Sequence, residues 1–79
     1  MRKRVFVVQA EWDEEARVWW GRNDNIPLAT EAKTFDALVR RVMKIAPELI
    51  ALNRIAKPGE TVTIRVTAER GGDVSLSAA

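Results

Sequence analysis

Thr61-Val62-Thr63-Ile64-Arg65-Val66-Thr67-Ala68-Glu69 alternates between two kinds of side chain. Val62, Ile64, Val66 and Ala68 form one set. Thr61, Thr63, Arg65, Thr67 and Glu69 form the other. A period of two puts each set on its own face of a strand, one face buried and the other wet. The position of this strand matters as much as its pattern. It follows a helical stretch, and a strand reached through a helical crossover can return parallel to an earlier one.

Working back along the chain, Lys57-Pro58-Gly59 reads as a loop and Asn53 as the stop of a helix. Phe35, Leu38, Val39, Val42, Ile45, Ala46, Leu49 and Ile50 keep a helical spacing, with Arg40, Arg41 and Lys44 mainly on the opposite side. Thr34 suits the N-cap, because its hydroxyl can accept from an orphan backbone N–H. Asp36 suits the positive end of the helix dipole. Pro47 falls inside this pattern and predicts either a kink or a second short helix that begins there.

Further back lie three shorter strands. Arg4 to Trp12 is rich in β-branched and aromatic residues, and both of its faces are apolar at the start, which suits an inner strand. Asp13 to Ala16 is a polar turn, and Arg17 to Arg22 is the second strand. Asn23-Asp24-Asn25 breaks it, and Ile26-Pro27 makes an extended bend. Leu28 to Ala32 is a short third strand. Beyond the fourth strand, Gly71-Gly72-Asp73 turns the chain, and Val74-Ser75-Leu76 either adds a short strand or frays.

The predicted class is α+β in the order β-β-β-α-β, with residues 1–79 as one domain. Three strands form an antiparallel meander, and the fourth runs parallel to the first, giving the order three, two, one, four. The single helix lies on one face of the sheet. The other face keeps its own apolar residues. Trp19 and Trp20 are adjacent, so a regular strand sends them to opposite faces. An indole left in water beside aliphatic residues costs roughly 25 cal/mol per Å² of apolar area, and such patches mark interfaces. The residues assigned to this interface are Val5, Val7 and Trp19, with Arg17 at the rim. A shift by one register exchanges them for Phe6, Val8 and Trp20.

Composition removes several function classes. The 79 residues are 47% hydrophobic and 30% charged, which suits a globular chain. A domain this small is marginal alone and gains from disulfides, metals or self-association. Cysteine and histidine are both absent. That excludes disulfides and thiolate zinc sites, and it removes the commonest transition-metal ligand and general base. Self-association, as a homodimer, is the stabiliser left. No nucleophile elbow or phosphate-binding glycine loop occurs. The chain is read as a non-enzyme without a cofactor. No apolar run approaches a membrane span, and Val5 to Val8 is too short for a signal peptide, so a cytoplasmic location is expected.

Ala10-Glu11-Trp12-Asp13-Glu14-Glu15-Ala16-Arg17-Val18-Trp19, then Asn25-Ile26-Pro27-Leu28-Ala29-Thr30-Glu31-Ala32-Lys33-Thr34, then Ala46-Pro47-Glu48-Leu49 and Asn53 occur in an informative sequence. Together they resemble a short family of unknown function within the HicB-like antitoxin superfamily. The resemblance spans most of the chain and implies a truncated ribonuclease H-like fold. It also implies a protein-binding role, because HicB antitoxins use this domain to mask a small ribonuclease toxin, HicA. Many HicB proteins carry a separate DNA-binding segment. No such appendage is expected after the fourth strand, so DNA binding is not carried over. Two departures concern loops: Leu28 follows Pro27 where a glycine is usual, and Arg17 stands where a turn glycine is frequent.

Two other readings come from the residues themselves. Glu11 and Glu69 end the first and fourth strands, and parallel pairing would bring them to one end of the sheet, near Asp13 and Asp36. Two-metal hydrolysis needs a fuller carboxylate cluster than this spacing supplies. Arg2, Lys3 and Arg4, with the Arg40-Arg41-Lys44 stripe, could meet RNA if Trp12, Trp19 and Trp20 offered stacking platforms beside them. The charge balance of 13 basic to 11 acidic residues argues against that alternative.

Overall fold

A computed structural model describes residues 4–69 and 74–76. The elements run β1 (Arg4–Asp13), β2 (Val18–Asn23), β3 (Leu28–Ala32), α1 (Phe35–Leu52) and β4 (Val62–Ala68). They form one sheet in the order β3-β2-β1-β4. β2 runs antiparallel to both β1 and β3, and β4 runs parallel to β1. The predicted class, strand order and direction all hold.

α1 supplies one side of the core. Leu38, Val42, Ala46 and Ile50 recur every four residues and are buried. They join Val8 and Ala10 of β1 and Leu28 of β3 in one cluster. Phe6, Ile64 and Val66 pack against it from the sheet. The Thr34 hydroxyl accepts from the Ala37 N–H at 3.1 Å, as an N-cap should. At the other end Asn53 is the C-cap. The Ile55 N–H reaches the Ile50 carbonyl and the Arg54 N–H the Ala51 carbonyl. These two bonds make a Schellman motif, which sets Arg54 in the left-handed region at φ 54°.

Three details depart from expectation, and one selects between two expected outcomes. The helix runs unbroken through Pro47. The bond that a proline cannot donate is the one to the Met43 carbonyl, and Met43 is exposed, so water can replace it. The first hairpin loop is Glu14 to Arg17, one residue later than expected. Asp13 explains the shift, because its Oδ1 accepts from the N–H groups of Glu15 and Ala16, and its carbonyl accepts from Arg17. Arg17 closes the turn at φ 58°. Ile26, read only as part of an extended bend, is fully buried. Asn23 turns it inward, since its Oδ1 accepts from the Asn25 and Ile26 N–H groups while its Nδ2 donates to the Val7 carbonyl at 2.7 Å. Val74 to Leu76 form no strand. Gly71 to Asp73 and Arg2-Lys3 lie outside the described residues.

Among the described residues no helix is long and apolar enough to cross a membrane.

Candidate functional site

The face of the sheet away from α1 is built by alternate residues of every strand. β1 gives it Val5, Val7, Gln9 and Glu11. Their partners in β4 are Thr63, Arg65 and Thr67, and those in β2 include Arg22 and Trp20. The register is set by the Glu14 to Arg17 loop, which pairs Trp12 with Trp19 and Glu11 with Trp20.

This pairing corrects the assignment of Trp19 to the open face. Its ring lies 5.7 Å from that of Trp12 and 5.3 Å from that of Phe35, the first residue of α1. Tilted and edge-on contacts of this kind stabilise aromatic clusters. Trp19 therefore closes one end of the helix-covered core. Trp20, its neighbour, is the indole on the open face. Val5 and Val7 do stand there, at 47% and 39% exposure. They do not adjoin Trp20, however. Glu11, the partner of Trp20, lies four residues beyond Val7, about 13 Å along the strand at ~3.3 Å per residue. Gln9 and Arg22 occupy the row between. Arg17 sits in the hairpin loop beside Glu14, at 3.5 Å, with both side chains exposed. The four candidate residues thus do not form one patch.

A second arrangement takes their place. Glu11, Trp20 and Glu31 are paired across β1, β2 and β3, so they form one row on the open face with the indole in the middle. Glu11 and Glu31 are exposed, and Trp20 is half-buried. A shallow depression of about 360 Å³ beside the row is lined by Asp13, Trp20, Ala29, Thr30 and Glu31. An indole face bordered by carboxylates suits a guanidinium or ammonium group, which gains from the ring quadrupole and from the acids together.

Glu11 and Glu69 do line one recess, of about 670 Å³, at the end of β1 and β4. Among the described residues no three His, Cys, Asp or Glu side chains converge as a metal site. Arg40, Arg41 and Lys44 border a shallow depression with Ala37 and Ile45 on the outer side of α1. No tryptophan lines it. Trp12 and Trp19 belong to the covered face, where Trp19 packs on Phe35 of α1, and Trp20 belongs to the opposite one.

A larger groove lies elsewhere. α1 packs more closely over β3 than over β4, which leaves a gap between α1 and β4. The gap is an apolar groove of about 790 Å³ between Met43, Pro47 and Ile50 of α1 and Val62 and Ile64 of β4. Arg4 crosses its end, donating to the Ile55 carbonyl and lying 3.6 Å from Glu60.

Residues 5–76 match the family model described as a domain of unknown function, DUF1902. The chain is also similar to a hypothetical protein from the extremely thermophilic bacterium Thermus thermophilus, known from a crystal structure. The two are 39% identical, with a TM-score of 0.78, over 90% of this chain and 100% of the other. No curated protein matches.

Proposed function

The chain belongs to the DUF1902 family, and on that premise we propose that it is a non-catalytic protein-binding module. Its role resembles that of the toxin-masking domain of HicB-type antitoxins. The observation that carries this reading is the row Glu11, Trp20 and Glu31 on the uncovered face. Basic side chains are the natural occupants of such a row, and a small ribonuclease needs basic residues to hold RNA. Masking follows if those same residues are taken up by the carboxylates. The carboxylates also disfavour RNA itself on this face, because phosphate would meet like charge. The absence of histidine from the sequence supports a non-catalytic role.

The test is a titration of the chain against a small basic ribonuclease encoded beside it. The expected result is a complex that stops RNA cleavage. Trp20→Ala and the pair Glu11→Lys with Glu31→Lys should each weaken it at least tenfold, while Arg40→Glu leaves it unchanged. Binding that ignores all the open-face changes would refute this placement of the docking surface. A gene neighbourhood without such a ribonuclease would remove the antitoxin-like role.

A further inference from the structure

The two edges of the sheet differ in a way that bears on self-association. β3 has five residues, is bracketed by Pro27 and Lys33, and carries Glu31. α1 packs closely over it. Short length, flanking proline and charge are the usual protections of an edge strand. β4 is less protected. Its seven residues contain no Pro, no Gly and no acid, and Arg65 is the one charge. It pairs with β1 on one side only. Among the described residues no other backbone group bonds to its outer side.

We propose that β4 pairs antiparallel with β4 of a second copy across a two-fold axis, joining two sheets into one of eight strands. The alternation of β4 makes it self-complementary. Antiparallel partners share a face. Every such register about a β4 residue therefore sets Val62, Ile64 and Val66 of one copy beside the same row of the other, on the helix side. With the axis at Ile64 or Val66, Arg65 faces Thr63 or Thr67 rather than its own copy, which avoids like-charge opposition.

The strand alone is a strip of roughly 23 Å at ~3.3 Å per residue, and stable interfaces bury roughly 1,000 Å² or more. The apolar groove supplies the remainder. It lies at the Val62 end of β4, the end toward which the partner's chain emerges after its own Ala68. Val74 and Leu76 follow on that chain and are 83% and 91% exposed within one copy. They are the most exposed large apolar residues among those described, and the groove offers them cover. Glu69, at the start of the same segment, is opposite in charge to Arg54 and Lys57 at the groove rim. This surface is separate from the Trp20 row, so the two proposals fail independently.

The chain contains no cysteine, which makes single-cysteine cross-linking a direct test. The unsubstituted chain should sediment at twice the 8.9 kDa of one copy. Of Ile64→Cys, Arg65→Cys and Val66→Cys, the one nearest the axis should form a covalent dimer under mild oxidation, and Val7→Cys on the open face should not. Arg65 is exposed, so its variant keeps the fold while the other two probe the axis. Deleting residues 74–79 should weaken the dimer at least tenfold. A monomeric mass at every concentration overturns the proposal. So does a dimer that cross-links through Val7→Cys, or through none of the three β4 positions.

Discussion

Gly21 of β2 lies so close to Val8 of β1 that a Cβ added to the glycine would stand 2.9 Å from Cγ1 of Val8 and 3.5 Å from Cδ2 of Leu38. All three positions are buried. Val8 is β-branched and cannot swing aside, and Leu38 comes down from α1 onto the same spot. The bare backbone of Gly21 thus sets how near the helix sits to the sheet. Gly21→Ala should lower stability by about 1–3 kcal/mol through overpacking, despite the better strand propensity of alanine. Urea unfolding followed by tryptophan fluorescence measures this directly. An unchanged midpoint would show that the helix and sheet have room to spare.

The adjacent indoles should respond differently to removal. Trp19→Ala takes away the ring between Trp12 and Phe35, and should cost about 2 kcal/mol or more. Trp20→Ala leaves the covered side intact and should cost about 1 kcal/mol or less. Equal losses, or the reverse order, in denaturant titrations would contradict the facing of the two rings.

Two arginines hold backbone conformations that glycine adopts without strain. Arg54 follows the helix C-cap at φ 54°, and Arg17 closes the first hairpin at φ 58°. Arg54→Gly and Arg17→Gly should each raise stability by about 0.5–1 kcal/mol. Arg17 gives up only an exposed contact with Glu14, and such pairs contribute little. Arg22→Gly, inside β2, is the control and should destabilise. A lowered melting temperature for Arg54→Gly would argue against the Schellman cap.

Asn23 makes one donated and two accepted bonds across two strands and a loop. Asn23→Ala should cost about 1–3 kcal/mol. Asn23→Asp keeps the acceptor for Asn25 and Ile26 but loses the donor to Val7, so its loss should be smaller. Hydrogen exchange at the Ile26 amide should accelerate in the alanine variant first. Slow exchange there in both variants would mean that burial of Ile26, rather than Asn23, fixes the loop.

Much of this architecture could be read from residue periodicity. The alternation from Val62 to Ala68 named the row of β4 that packs on the core, although Val62, Ile64 and Val66 are only half-buried and Ala68 is exposed, and Thr34 and Asn53 marked both ends of α1 within a residue. The positive φ of Arg17 was not legible, because nothing in the residue pattern of the loop marks an arginine for the left-handed region. Two further features were lost for identifiable reasons. Ile26 sits among Asn23, Asp24, Asn25 and Pro27, all turn formers, and its burial depends on side-chain hydrogen bonds that a hydrophobic pattern does not register. The open-face indole was available from parity. Any hairpin loop of four residues, whether Asp13 to Ala16 or Glu14 to Arg17, sets odd positions of the first strand beside even positions of the second. Val5 and Val7 therefore belong with Trp20 on parity alone. The Glu11-Trp20-Glu31 row needed the second hairpin register as well, and the Asn23 to Pro27 loop gives no parity until its bonds are known.

The parallel ladder has a consequence for how the molecule is made. Arg4 lies beside Val62 and Ala10 beside Ala68, so the central strand gains its last neighbour from nearly the far end of the polypeptide. The meander and helix involve residues close in sequence and can form quickly, whereas distant pairing has to await loop closure. During synthesis β1 is a half-zipped seam until Ala68 has left the ribosome. Over that interval a neighbouring nascent chain can offer its own β4, so crowded translation of this message raises the share of exchanged strands.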